Sequence, residues 1–370
     1  MKRARILFIS LLLILSLMQG ACSGDPTQTT IPPSSVQTTT TSAITTTTVP
    51  PTTAPTSTAP PTTTTQTTAP TTTATTTTGD KAVFNRFTGL PIEDPARANV
   101  RPVAVMINNI QVATPQLGIN SADLYYEMIV EGGITRILAV FADPAKVPEL
   151  GSIRSARSDY IDFAGGIDAI LVHAGGSYAA MDQIRRQKTA HIDMDSVPEA
   201  FWRDPAWRQD RGYEHSVRTT GKRLTQAIKD LKLRDTLQDP EKPVFNFLPE
   251  GTVEPAADQT KNPAATVTVE FSNYNTSVFR FDKQTGLYSK SQFGKPQIDL
   301  ADNQPLKVTN VLILRTTIGS IDGTILRNAD LSAGSGYYIS GGAQVKIKWK
   351  KGSTANAFVF TREDGTPLLI

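Results

Sequence analysis

The chain has 370 residues with 25 Pro, 25 Gly, three His and a single Cys, and carries 37 Lys+Arg against 34 Asp+Glu. One cysteine excludes an internal disulfide framework and a CxxC zinc site. Lys2, Arg3 and Arg5 lie at the extreme N-terminus. Without them the positive charges fall to 34, equal to the acidic ones, so no overall basic field speaks for nucleic-acid binding.

The first elements are targeting and spacing segments. Residues 1–5 are short and basic, residues 6–18 are an apolar run too short to span a bilayer comfortably, and Gly20 and Ala21 are the small residues of a cleavage site. Cys22 follows directly, so residues 1–21 are expected to be a lipoprotein signal peptide and the Cys22 thiol the lipidation site. Gln19 departs from the aliphatic residue usual three positions before such a cysteine, and an ordinary secretory signal with an incidental Cys22 is the alternative. Two or three acyl chains would hold the protein on the membrane, each buried CH₂ contributing about 0.8 kcal/mol. Residues 22–81 are expected to form a disordered tether. More than half of residues 27–78 are Thr and none is charged, so this stretch cannot bury a core. Fully extended at about 3.1 Å per residue it would reach roughly 180 Å, enough to carry a domain from a membrane into a wall.

The foldable part follows. Residues 102–108 (PVAVMIN) read as a buried strand. Residues 124–131 and 134–141 read as two strands joined by a two-residue turn at Gly132-Gly133, because glycine tolerates the positive φ of a tight hairpin. Residues 155–163 are predicted helical, 169–173 a strand, and 178–186 a helix. The clearest helix is 219–233: Leu224, Ala227, Ile228 and Leu231 follow the i, i+3, i+4, i+7 rule, with Thr219 or Thr220 as cap. Its lysines and arginines fall mostly on other faces and read as a solvated surface. Residues 235–263 are loop-rich. From 265 onward only strands appear, at 266–271, 277–282, 308–314, 337–340, 344–349 and 357–361. In the fifth of these, Val345, Ile347 and Trp349 alternate with Lys346, Lys348 and Lys350, the pattern of a half-buried strand with a lysine face. That face suits an edge protected from aggregation or a contact with an anionic wall polymer.

The densest polar constellation lies between Glu127 and Ser177. Glu127 and Glu131 are four apart on one predicted strand face, and Arg136 is on the returning strand. Arg154, Ser155 and Arg157 stand at a predicted loop-to-helix junction. Two arginines on one helical turn, beside free N–H groups, make a candidate anion seat. The same arginines could instead pair internally with Glu127, Glu131 or Asp162. His173, Gly175, Gly176 and Ser177 form a strand-to-helix turn that would either present His173 to a ligand or simply satisfy it within the fold. His191, Asp193 and Asp195 alternate in an extended stretch but lack further ligands at metal-binding spacing, so neither a metal nor a cofactor is expected. There is no GxSxG, HExxH or Walker motif, and the sole cysteine is assigned to the anchor, so no cysteine nucleophile remains. Glu127 and Glu131 are the candidate acid/base residues if the protein hydrolyses glycosidic bonds.

These segments carry a resemblance. Phe87-Thr-Gly-Leu-Pro91, Arg101-Pro-Val-Ala-Val-Met-Ile-Asn-Asn109, Tyr126-Glu127, Val130-Glu-Gly-Gly-Ile-Thr-Arg136, Ile153-Arg-Ser-Ala-Arg157, His173-Ala-Gly-Gly-Ser177 and Phe201-Trp-Arg203, with the all-β remainder, resemble the YerB-like family of bacterial envelope lipoproteins. The resemblance implies an α+β fold, with layered mixed sheets and helices in an N-terminal part (82–240) and a mainly antiparallel β C-terminal part (241–370). It brings no catalytic residues. The expected function is a non-enzymatic binding or accessory module on the extracytoplasmic face of the membrane, with peptidoglycan or an envelope protein as partner. A wall-active hydrolase is the alternative.

Overall fold

A computed structural model describes residues 83–249, 252, 254 and 257–370. The expected signal, Cys22 and the Thr/Pro tether lie outside the described residues. The N-terminal part is organised by a mixed five-stranded sheet in the order β2-β3-β1-β5-β6. Its strands are β1 (Val103–Asn109), β2 (Leu124–Ile129), β3 (Thr135–Phe141), β5 (Ile170–His173) and β6 (His191–Asp193), and β4 (Leu150–Gly151) stands apart from it. β1 is antiparallel to β3, with Val103 opposite Phe141, and parallel to β5, with Val103 opposite Ile170. All seven residues of β1 are buried, which explains its unbroken apolar run: both faces of the strand are covered. Ala104 and Met106 join one core cluster, and Val103, Val105 and Ile107 the other.

Helices α1 (Ser158–Gly166) and α2 (Tyr178–Gln187) contribute to the first cluster. The second is closed by α4 (Gly221–Asp230), which places Leu224, Ala227 and Ile228 in it, as its periodicity predicts. The Thr220 hydroxyl caps α4 by accepting from the Arg223 amide at 3.4 Å. Around Trp202, β7 (Trp202–Arg203), β8 (Val217–Thr219) and β4 make a three-stranded sheet, with α3 (Pro205–Asp210) between β7 and β8.

The C-terminal part is mainly antiparallel. β9 (Thr266–Ser272), β10 (Asn275–Asp282) and β11 (Leu287–Gln292) form a meander. A second sheet has β12 (Asn310–Arg315), β13 (Ala333–Ser340), β14 (Ala343–Lys350) and β15 (Val359–Arg362) in that order. Lys346, Lys348 and Lys350 do face solvent on β14, but β14 is paired on both sides, so these lysines do not guard a sheet edge. Its other face docks on the N-terminal part. Trp349 and Phe358 meet at 5.7 Å between ring centroids, Phe358 and Phe163 of α1 at 5.9 Å, and Phe163 stacks on Tyr126 of β2 at 4.9 Å. The α+β class is thus the architecture found, with the helices among the described residues confined to the first part.

Three local expectations are corrected. The β2–β3 turn is not two residues long. Glu131–Gly133 form a 3₁₀ turn with φ of 70° at Gly132 and 75° at Gly133, so Glu131 lies beyond the strand and does not share a face with Glu127. Helix α1 begins at Ser158 rather than 155. Arg157 is its N-cap in an extended conformation, so Arg154 and Arg157 do not share a helical turn. Strand β11 was not expected at all.

Candidate functional site

The parallel pairing of β1 with β5 ends at Val105 and Val172. Beyond it the two chains part, and the protein fills the opening with its own residues 153–156. The Arg154 amide donates to the Met106 carbonyl at 2.8 Å, and the Ala174 amide donates to the Arg154 carbonyl at 3.1 Å. The Ala156 amide donates to the Gly175 carbonyl at 2.9 Å. This sheet-like insertion is why the segment is extended where helix was expected: tertiary hydrogen bonds override a weak local preference. It also gathers Arg136, Arg154, Ser155, Arg157 and His173 at the carboxyl ends of the parallel strands.

Successive side chains of an extended segment diverge, and the arginines follow that rule. Arg157 grips Glu131: its Nε lies 2.9 Å from both carboxylate oxygens, a second bond runs from Nη2, and Nη1 donates to the Ala156 carbonyl at 2.8 Å. Burial alone would raise the Glu131 carboxyl, but the Arg157 hydrogen bonds and the charges of Arg157 and Arg136 outweigh it and hold the group at about 2. Arg136 is only 4 % exposed. It donates to the Ser155 carbonyl and stands 4.0 Å from Glu131. Burial first, then repulsion from Arg157, draws its guanidinium down to about 9, still protonated at neutral pH. Arg154 turns the other way, to Glu214, with Nη2 at 2.7 Å from Oε2 and Nη1 at 3.3 Å from the backbone carbonyl. The Glu214 side chain is 66 % exposed, so this is the member of the cluster open to exchange with a ligand.

His173 is fully buried. Its Nδ1 lies 2.7 Å from the Gly175 carbonyl, which can only accept, so Nδ1 carries the proton. Nε2 therefore accepts from His191 Nδ1 at 3.0 Å, with the rings stacked. Burial pushes both imidazoles down, which keeps them neutral. His173 is thus satisfied inside the fold and does not reach solvent. Gly175 has φ of +64°, which favours glycine in the turn, and a Cβ on Gly176 would lie 2.6 Å from Met181 Sδ, so a side chain there would displace Met181. Ser177 caps α2, accepting from the Ala180 amide at 3.2 Å.

Glu127 is elsewhere, in a buried polar network that joins the two parts of the chain. Its carboxylate accepts from Asn109 Nδ2 and the Thr135 hydroxyl, each at 2.8 Å, and pairs with Lys290 of β11 at 3.0 Å. Lys290 also donates to Gln297 at 2.6 Å and to Gln292 at 3.2 Å. Gln292 donates to Asn275, and Asn275 to Thr135. Sequence reasoning missed Asn109, Lys290, Gln292 and Gln297. The available signal was the alternation of Tyr288, Lys290 and Gln292 on one face of β11. That face is turned inward, and two of its three residues are polar.

Neither carboxylate is arranged as a general acid. Glu131 is held ionised and Glu127 is filled with donors, whereas an acid at neutral pH needs a raised pKa and a free face. Among the described residues no group of three or more His, Cys, Asp or Glu side chains is placed to hold a metal ion. No described helix is long and apolar enough to cross a membrane.

Residues 87–234 match the family model described as "Protein of unknown function (DUF3048) N-terminal domain", and residues 267–370 the corresponding C-terminal domain. The chain is 28% identical over 277 residues to the Bacillus subtilis (strain 168) protein named "Putative lipoprotein YerB", covering 71% of this chain and 77% of that one. It is also similar to the crystal structure of the YerB protein from Bacillus subtilis, with a TM-score of 0.66 and 25% identity over 78% of this chain and 92% of that one.

Proposed function

Because the chain belongs to the YerB-like family, whose two domains have no assigned function, we propose that it is a membrane-anchored lipoprotein acting as a non-enzymatic binding module of the bacterial cell envelope. Cys22 is the lipid attachment site in this reading, residues 22–81 are the tether, and the folded part works on the extracytoplasmic face. The lipoprotein name of the Bacillus subtilis relative supports the anchor.

One observation carries the non-enzymatic reading. Both carboxylates that could serve a hydrolase are committed, Glu131 to Arg157 and Glu127 to Lys290. The binding residue in this reading is Arg154 at the ends of the parallel strands, backed by the buried Arg136 and by Arg157, which is paired with Glu131. An anionic group on the wall or on an envelope protein would displace the exposed Glu214 carboxylate from Arg154 and gain a bidentate partner near two further positive charges.

The test is co-sedimentation of the full chain, held in detergent, with isolated peptidoglycan sacculi. Arg154→Ala is expected to weaken sedimentation roughly tenfold, the effect of about 1.4 kcal/mol. Unchanged sedimentation of a folded Arg154→Ala protein would remove the arginine cluster from the reading.

A further inference from the structure

A second concave surface is lined by none of the clustered arginines. The outer face of α2 and the β-hairpin spanning residues 318–329 enclose a groove of about 750 Å³. Tyr178, Asp182, Arg185 and Arg186 stand on the helix side, and Ile321 and Asn328 on the hairpin side. Arg136, Arg154, Glu131 and Glu214 do not line it.

We propose that this groove binds an uncharged stretch of glycan, of the β-linked amino-sugar class. The first argument is charge. Arg185 and Arg186 both pair with Asp182, the latter at 2.7 Å, and Asp322 also lines the groove. Two cations and two carboxylates leave no net field, so a polyanion gains nothing by entering. The second is shape and polarity. Tyr178 is 58% exposed at the N-terminal end of α2. An unburied aromatic ring offers a flat apolar face for the C–H side of a pyranose, while its hydroxyl stays wet. Beside it the Asp182 carboxylate, the arginine forks and the Asn328 amide offer donors and acceptors together, which is what vicinal hydroxyl and acetamido groups require.

The third argument is rigidity. The hairpin is fixed to the helical layer because the Ala329 amide donates to Asp159 Oδ1 of α1 at 3.0 Å. On the other side, α2 is capped by Ser177 and fastened to α1 by Gln183, which donates to Asp162 at 3.0 Å. The backbones of both walls are thus tied to α1. This site does not depend on the arginine cluster, since the ligand it takes carries no charge.

The experiment is calorimetric titration of the full chain in detergent with the tetrasaccharide of β-1,4-linked N-acetylglucosamine. Saturable binding is expected. Tyr178→Ala and Asn328→Ala should each weaken it roughly tenfold, corresponding to about 1.4 kcal/mol, with an unchanged melting temperature. Absence of binding at millimolar sugar would overturn the proposal, as would binding that both variants retain. Linear polyphosphate or an uncrosslinked wall peptide is the competing probe. If either binds in a Tyr178-dependent manner while the sugar does not, the groove serves a different ligand class and the proposal fails.

Discussion

Glu127 of β2 and Lys290 of β11 form an ion pair of 3.0 Å that ties the N-terminal sheet to the C-terminal meander. Their side chains are 11% and 4% exposed, and each is surrounded by amide and hydroxyl partners. A buried pair of this kind contributes little net stability over an apolar replacement. Breaking it by removing one partner is costly, because the other charge is left in a dry site.

Glu127→Gln and Lys290→Met are each expected to destabilise the chain by about 3 kcal/mol in denaturant unfolding. The double variant should be more stable than the sum of the two losses predicts, with a coupling of at least about 1 kcal/mol. Strict additivity would show that the pair is not an energetic unit.

The Glu131–Arg157 pair sets an acid limit. Glu131 is lowered from 4.5 to about 2 by its arginines. Its contribution is therefore complete above pH 4.5 and is lost as pH falls from there toward 2. Glu131→Gln should cost about 2 kcal/mol at neutral pH and flatten this part of the acid limb. Urea melts at pH 7 and pH 3 provide the check, and an equal loss in both would contradict the assignment.

Asp159 works in the opposite sense. Burial, with the nearby Asp162 charge adding to it, raises its carboxyl from 3.8 to about 7. Its Oδ2 is buried without a hydrogen-bond partner. The group's contribution is fully present below pH 3.8 and is lost as pH rises through 7. Asp159→Asn keeps the acceptor for the Ala329 amide and cannot ionise. It should melt above wild type at pH 8, and this advantage should shrink toward pH 4. A variant less stable than wild type at pH 8 would refute the neutral-acid reading.

Anchoring is tested through Cys22. Cys22→Ser removes the thiol that would carry the acyl chains, so the protein should move from the membrane fraction to the soluble fraction of fractionated cells. Retention in the membrane fraction would mean that another feature holds the chain there.

Much of the fold was legible because its apolar periodicity is strong. β1 is an uninterrupted run buried on both faces, α4 has a clean helical stripe, and α2 carries its cap and its inward Ile184 in plain view. The failures share a physical cause, which is tertiary context. Ser155 and Ala156 read as a helix start, but residues 153–156 are drawn into the gap between β1 and the turn after β5. Strand β11 hides because, of its inward positions, only Tyr288 enters an apolar core, while Lys290 and Gln292 face a polar layer. The pairing of Arg157 with Glu131 was foreseeable as internal neutralisation of a charge. That of Glu127 was not, since its partner lies in the other part of the chain. His173, Gly175, Gly176 and Ser177 were legible as a turn, while the His191 ring that closes the buried histidine pair was not.

In the proposed role the folded part binds in the envelope and does not cut. The most direct measurement incubates the full chain with purified sacculi, pellets them, and analyses the supernatant by mass spectrometry. The protein is expected to sediment with the sacculi, with no soluble wall fragments above the protein-free control. Fragments released by wild type and abolished by Glu127→Gln or Glu131→Gln would contradict it and make the protein a hydrolase.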